Sequence, residues 1–149
     1  MRTHHQRRRV FVSSTPQELE PERAAARQAI EDLNMMVVML ETDPGVDPAR
    51  VEDAADLQPS DLFVGLYWQR YGRVAPDEEI SRLEDEYRRS AGMPRLLYVK
   101  EPAHRREPRL AGLLRRIQAD DTASYKPFAD TAELSRLLGD DLARLIALG

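Results

Sequence analysis

Short apolar runs recur along the chain, separated by longer charged segments in which apolar residues return every three or four positions. The first run, Val10-Phe11-Val12, reads as a strand and is followed by Ser13-Ser14-Thr15-Pro16-Gln17-Glu18. Thr15 and Glu18 have the spacing of a capping box and Pro16 suits the first helical position, so a helix is predicted from this point. Its apolar stripe is Leu19, Ala26, Ile30 and Leu33, and Asn34 is placed to end it. Met35 to Leu40 is continuously apolar, the pattern of a strand buried on both faces. A loop follows, and Asp47-Pro48 can cap a short helix through about Leu57.

Leu62 to Trp68 is the third apolar run. A polar loop leads to Asp77, a good N-cap, and a helix is predicted from about Glu78 to Ala91, with Ile80, Leu83 and Tyr87 on one side and Gly92 as its stop. Leu96 to Val99 is a fourth strand, and Leu110, Leu113, Leu114 and Ile117 mark another helix. Ser124 to Phe128 is a weaker fifth strand in which Pro127 suits a sheet edge. Asp130 and Glu133 repeat the capping-box spacing ahead of a last helix carrying Leu134, Leu137, Leu138, Leu142, Leu145 and Ile146.

Strands alternating with helices predict an α/β three-layer sandwich, in which a five-stranded parallel sheet is covered on both faces. Among doubly wound orders we expect the flavodoxin-like 2-1-3-4-5. Residues 9–149 are expected to form one domain, preceded by a flexible basic arm over residues 1–8.

Composition narrows the setting. The 149 residues include no cysteine, which removes disulfides, thiolate metal sites and cysteine nucleophiles and fits a reducing, cytoplasmic compartment. The formal net charge of -4 argues against a nucleic-acid partner. No apolar run approaches the roughly 20 residues that span a bilayer, so no membrane partner is expected.

In open parallel sheets, ligands bind outside the carboxyl ends of the strands where the strand order reverses. That rule selects Ser13, Ser14 and Thr15 after the first strand, Glu41 after the second, and Trp68, Tyr71 and Gly72 after the third, with Glu84 and Glu86 on the helix that follows. Each has a plain structural explanation as well: capping for the hydroxyls, core packing for the aromatics, solvent exposure for the glutamates. Periodicity does not choose between Glu84 and Glu86, because they flank the Ile80-Leu83-Tyr87 stripe on opposite sides.

Glycine-rich phosphate loops and nucleophile-elbow motifs are missing. The histidines, His4, His5 and His104, are placed for neither a triad nor a metal site, so no metal is expected and a carboxylate is the natural working group.

Three stretches together resemble the DUF4062 family of TIR-like domains. They are Val10-Phe11-Val12-Ser13-Ser14-Thr15 with Leu19, Glu22 and Arg23; Asp61-Leu62-Phe63-Val64-Gly65 with Tyr71-Gly72; and Ser81-x-x-Glu84-x-Glu86-Tyr87 followed by Pro94-Arg95-Leu96-Leu97-Tyr98-Val99-Lys100. The match spans roughly residues 9 to 100. The resemblance implies a TIR-like, flavodoxin-like fold in a signalling or effector domain, commonly found ahead of a STAND-type NTPase and repeats. Related TIR and nucleoside deoxyribosyltransferase-like enzymes cleave N-glycosidic bonds with a helix glutamate. In the latter group that glutamate is followed by an apolar residue and, four positions on, a small one. Glu86, Tyr87 and Ser90 fit that spacing, which makes Glu86 the first catalytic candidate and Glu84 the second. The tryptophan or cysteine that often precedes the glutamate in TIR enzymes is missing here.

Two readings stay open. In the first, NAD or a related nucleotide is the substrate and no cofactor is needed. Ser13 or Ser14 holds a ribose hydroxyl or phosphate, Trp68 or Tyr71 stacks on a base, and Arg23 pairs with a carboxylate. In the second, the domain is a non-catalytic module for self-association or for a partner NTPase or repeat domain.

Overall fold

A computed structural model describes residues 7–39, 59–120 and 123–148. Nine elements follow in the order β1 (Arg9–Ser13), α1 (Glu20–Asp32), β2 (Met36–Met39), β3 (Leu62–Tyr67), α2 (Arg82–Arg89), β4 (Arg95–Lys100), α3 (Pro108–Gln118), β5 (Ala123–Phe128) and α4 (Thr131–Leu148). The five strands form one sheet in the order β2-β1-β3-β4-β5, all pairs parallel, as the alternation of strands and helices predicts. The helix expected near residues 47–57 lies outside the described residues.

Side chains alternate across the pleat, so each strand feeds two cores. Val10 and Val12 of β1, with Leu62, Val64 and Leu66 of β3, join the core under α1 and α4. Phe11, Phe63 and Tyr67 join the opposite core under α2 and α3. The register places Phe11 against Phe63, and their rings stack 6.1 Å apart. By the same alternation Ser13, two residues past Phe11, faces the α2 side, and its register partner is Gly65.

Several boundaries differ from the sequence reading. Helix α1 begins at Glu20, with Pro21 rather than Pro16 in its first turn. The Thr15 hydroxyl bonds the Glu18 carboxylate at 2.7 Å instead of a backbone N–H, so the expected capping box does not form. Helix α2 begins only at Arg82: the Ser81 hydroxyl accepts from the Glu84 N–H at 3.3 Å and takes the capping role expected of Asp77. Strand β2 is not buried on both faces. It ends the sheet among the described residues, and Met36 is 39% exposed. At the second site Asp130 does cap its helix, accepting from the Glu133 N–H at 2.9 Å, while the Glu133 carboxylate accepts from the Ala129 N–H at 2.6 Å, one residue before the cap. Asn34 ends α1 in the left-handed region at φ 60°, and β5 is the edge strand that carries Pro127.

Candidate functional site

The carboxyl ends of β1 and β3 and the first half of α2 enclose a cavity of about 480 Å³. Its lining includes Ser14, Thr15, Glu18 and Arg23 from the β1–α1 region, Arg70, Gly72 and Arg73 from the β3–α2 loop, Arg82 and Glu86 from α2, and Glu107 at the start of α3.

Glu86 is the buried carboxylate of this cavity, 3% exposed. The Ser13 hydroxyl donates to its Oε1 at 2.6 Å, linking the last residue of β1 to the middle of α2. Gly65 is packed closely by side chains of β3 and β4. A Cβ there would lie 2.7 Å from Tyr67 Cε2 and 2.8 Å from Leu97 Cδ2, so only glycine fits this position opposite Ser13. Burial pushes the Glu86 carboxyl up to about 7. The Ser13 hydroxyl and the charges of Arg82 and Arg23 pull it down, and Asp85 pushes it up. The result is a carboxyl group that gains and loses its proton near neutrality, the range in which a side chain serves both as proton acceptor and as anion.

Glu84 is equally buried, at 3%, but points elsewhere. Its Oε1 accepts from the Tyr71 hydroxyl at 2.6 Å, and its Oε2 meets Arg88 and, at 3.1 Å, Arg116 of α3. Burial opposes ionisation of this group, but the Tyr71 hydroxyl and the two guanidinium groups outweigh it and hold the carboxyl below its ordinary value. Glu84 therefore joins α2 to α3 and is not among the residues that line the cavity.

The other residues singled out by sequence divide in the same way. Ser14, Thr15, Arg23 and Gly72 line the cavity together with Glu86. Arg23 Nη1 donates to Ser14 Oγ at 3.5 Å. Tyr71 is 3% exposed in the α2–α3 core, with Arg109 over its ring at 4.4 Å, and is not positioned to stack on a ligand in this cavity. Trp68 also lies outside the lining: its indole N–H donates to the Pro102 carbonyl at 2.9 Å, and the Lys100 ammonium sits 4.1 Å from its ring centroid. Lys100 in turn pairs with the buried Glu22 at 2.8 Å. Glu41 lies outside the described residues.

Sequence reasoning missed Arg70, Arg73, Arg82 and Glu107. The signal for the first two was present, since Arg70-Tyr71-Gly72-Arg73 directly follows the third strand at its carboxyl end. Arg82 would have followed from recognising Ser81 as the N-cap. Among the described residues no group of three or more histidine, aspartate or glutamate side chains is placed to hold a metal ion, and no helix is long and apolar enough to cross a membrane.

The chain matches the family model described as "Domain of unknown function (DUF4062)" over residues 9–143. No curated protein matches it. Among solved structures it is similar to a short-chain flavodoxin associated with a non-canonical PDU bacterial microcompartment. The two are 14% identical with a TM-score of 0.52, over 93% of this chain and 97% of that one. It is also similar to general stress protein 14 of Treponema denticola, solved in complex with FMN, at 17% identity and a TM-score of 0.46, over 95% of this chain and 99% of that one. The first of these likenesses establishes a flavodoxin-like fold; at such identity it carries nothing about the ligand.

Proposed function

The chain belongs to the DUF4062 family, and on that premise we propose that it is a TIR-like effector or signalling domain that hydrolyses the N-glycosidic bond of NAD or a related nucleotide. The observation that carries this reading is the buried Glu86 in the wall of the cavity, held by the hydroxyl of Ser13, which is not itself part of the lining. A carboxylate shielded from water and oriented by one hydroxyl is suited to stabilising positive charge on a sugar.

The chemistry balances without a cofactor. The bond from C1′ of the ribose to the nicotinamide nitrogen breaks, and its electron pair leaves on that nitrogen, so nicotinamide departs neutral. Positive charge builds on C1′ and the ring oxygen, where ionised Glu86 stabilises it or bonds to C1′. Water then supplies an oxygen to C1′ and releases one proton. The products are nicotinamide, ADP-ribose and that proton. Ser13 holds one carboxylate oxygen, leaving the other for the sugar. Arg82 and Arg23 favour the ionised form of Glu86.

The test is incubation of the purified chain at high concentration with NAD, following nicotinamide release. Release by the wild type, reduced about a hundredfold or more in Glu86→Gln, is the expected result. NAD left intact under crowded or oligomerised conditions overturns the hydrolase reading. Signalling that persists in cells carrying Glu86→Gln would instead assign the domain to self-association or partner binding.

A further inference from the structure

Doubly wound sheets hold a ligand where the strand order reverses, and a phosphate bound there lies on the loop after β1, at the N-terminus of the first helix. A flavodoxin-like fold thus raises flavin mononucleotide as a ligand, and the donors at that position decide whether it fits. The cavity does open on this loop, since Ser14, Thr15, Gln17 and Glu18 are part of its lining.

Those donors are already engaged by a carboxylate of the chain itself. Glu18 Oε2 accepts from the Thr15 hydroxyl at 2.7 Å and from the Arg70 N–H at 3.0 Å, and its Oε1 accepts from the Gln69 N–H at 3.3 Å. One hydroxyl from the loop after β1 and two successive N–H groups from the loop after β3 converge on one oxyanion. Consecutive N–H groups of this kind form anion-binding concavities. Here the fold supplies the anion.

The start of α1 does not draw in a second one. Pro16 and Pro21 have no N–H to offer. The first turn carries the carboxylates of Glu20 and Glu22 at the positive end of the helix. Arg23, the first cation of α1, donates to Ser14 Oγ at 3.5 Å, and its charge acts on Glu86. A phosphate brought to this loop would have to displace Glu18 from three donors and then lie beside carboxylates of like charge, both of which weaken binding.

We infer that Glu18 is a built-in occupant of the anion position at the switch point of the sheet. The cavity therefore turns away a phosphate at the β1–α1 loop, flavin mononucleotide included, and receives an uncharged part of its ligand there. A sugar or a base suits the walls, which include the apolar Val12 and Leu83 beside the hydroxyl of Ser14. That this sugar has its C1′ toward Glu86 rests on the N-glycosidase reading; the exclusion of phosphate from the loop does not.

The experiment is titration of the full chain with inorganic phosphate at constant ionic strength, following the amide resonances of Thr15, Gln69 and Arg70. In the wild type they are expected to stay in place up to tens of millimolar. In Glu18→Ala they should shift saturably, with affinity raised about tenfold or more. Glu18→Ser is the second variant, and circular dichroism verifies that each keeps its fold. Glu107→Ala removes another carboxylate of the same lining and should not gain phosphate binding. A parallel fluorescence titration compares flavin mononucleotide with riboflavin, and the wild type is expected to bind the first no more tightly than the second. Saturable phosphate shifts or a tenfold preference for flavin mononucleotide in the wild type overturns the inference. So does a gain absent from both folded Glu18 variants, or one matched by Glu107→Ala. A chain that follows these expectations but leaves NAD intact refutes the hydrolase reading and keeps the role of Glu18.

Discussion

The Ser13 hydroxyl and the Glu86 carboxylate, 73 positions apart in sequence, meet at 2.6 Å inside the protein. Around Glu86 stand Ser13 from β1, Arg82 and Asp85 from α2 and Arg23 from α1. Burial dominates, so the group titrates near 7. If the anion does the work, NAD cleavage rises with pH through about 7 and levels off above it. Ser13→Ala removes a donor that favours the anion and should move that rise to higher pH. A pH–rate profile of the two proteins checks both statements, and an unmoved profile in Ser13→Ala would show that the hydroxyl does not tune the glutamate.

The same shift has a consequence for stability. The folded protein binds a proton at Glu86 up to about 7, whereas the unfolded chain releases it near 4.5. Between those values the native state holds more protons, so this group's contribution to stability falls as pH rises and is constant above about 7. Glu86→Gln keeps an oxygen acceptor for Ser13 and carries no charge. It should be more stable than the wild type at pH 8, by up to ~3 kcal/mol for a shift of this size, and no more stable at pH 4. Denaturant melts at the two pH values measure the difference.

Glu84 should behave in the opposite sense. Its carboxyl is held below the ordinary value, so it contributes stability above about 4.5 that is lost as pH falls further. Glu84→Gln weakens bonds to Tyr71, Arg88 and Arg116 and is expected to cost about 1–3 kcal/mol at neutral pH. Chemical denaturation of Glu84→Gln and Glu86→Gln across pH separates the two glutamates.

Tyr67 offers a test of the packing behind the site. Its hydroxyl is buried without a hydrogen-bond partner among the described residues and lies close over Gly65. Tyr67→Phe should leave stability unchanged or raise it by about 1 kcal/mol, since a desolvated, unpaired hydroxyl is removed. Gly65→Ala should cost about 1–3 kcal/mol, because its methyl has no room beside Tyr67 and Leu97. Thermal melts of both variants decide it.

Glu18 tethers the cavity mouth. Glu18→Ala leaves the Gln69 and Arg70 N–H groups without their acceptor. Amide hydrogen exchange at Arg70 should accelerate about tenfold or more, with exchange in β4 unchanged.

The strand order was legible because apolar runs and helical stripes alternate without interruption from β1 to α4. Side-chain bonding within loops was not. Thr15 and Glu18 have capping spacing, yet Glu18 is drawn away to the backbone after β3, a contact set by tertiary structure. Asp77 was the expected cap, yet the packed position of α2 gives that role to Ser81. The choice between Glu84 and Glu86 was undecidable from periodicity because α2 is covered on both flanks, by β1 on one side and α3 on the other. Trp68 sits at the expected end of β3, but Pro102 and Lys100 engage it there.

The contact between β1 and α2 also dates the site within assembly. No local stretch of chain contains it: the hydroxyl comes from the first strand and the carboxylate from a helix more than seventy residues later. A nascent or truncated chain that has paired its strands but not docked α2 has a sheet and no chemistry, so any activity of this domain reports on its complete tertiary structure.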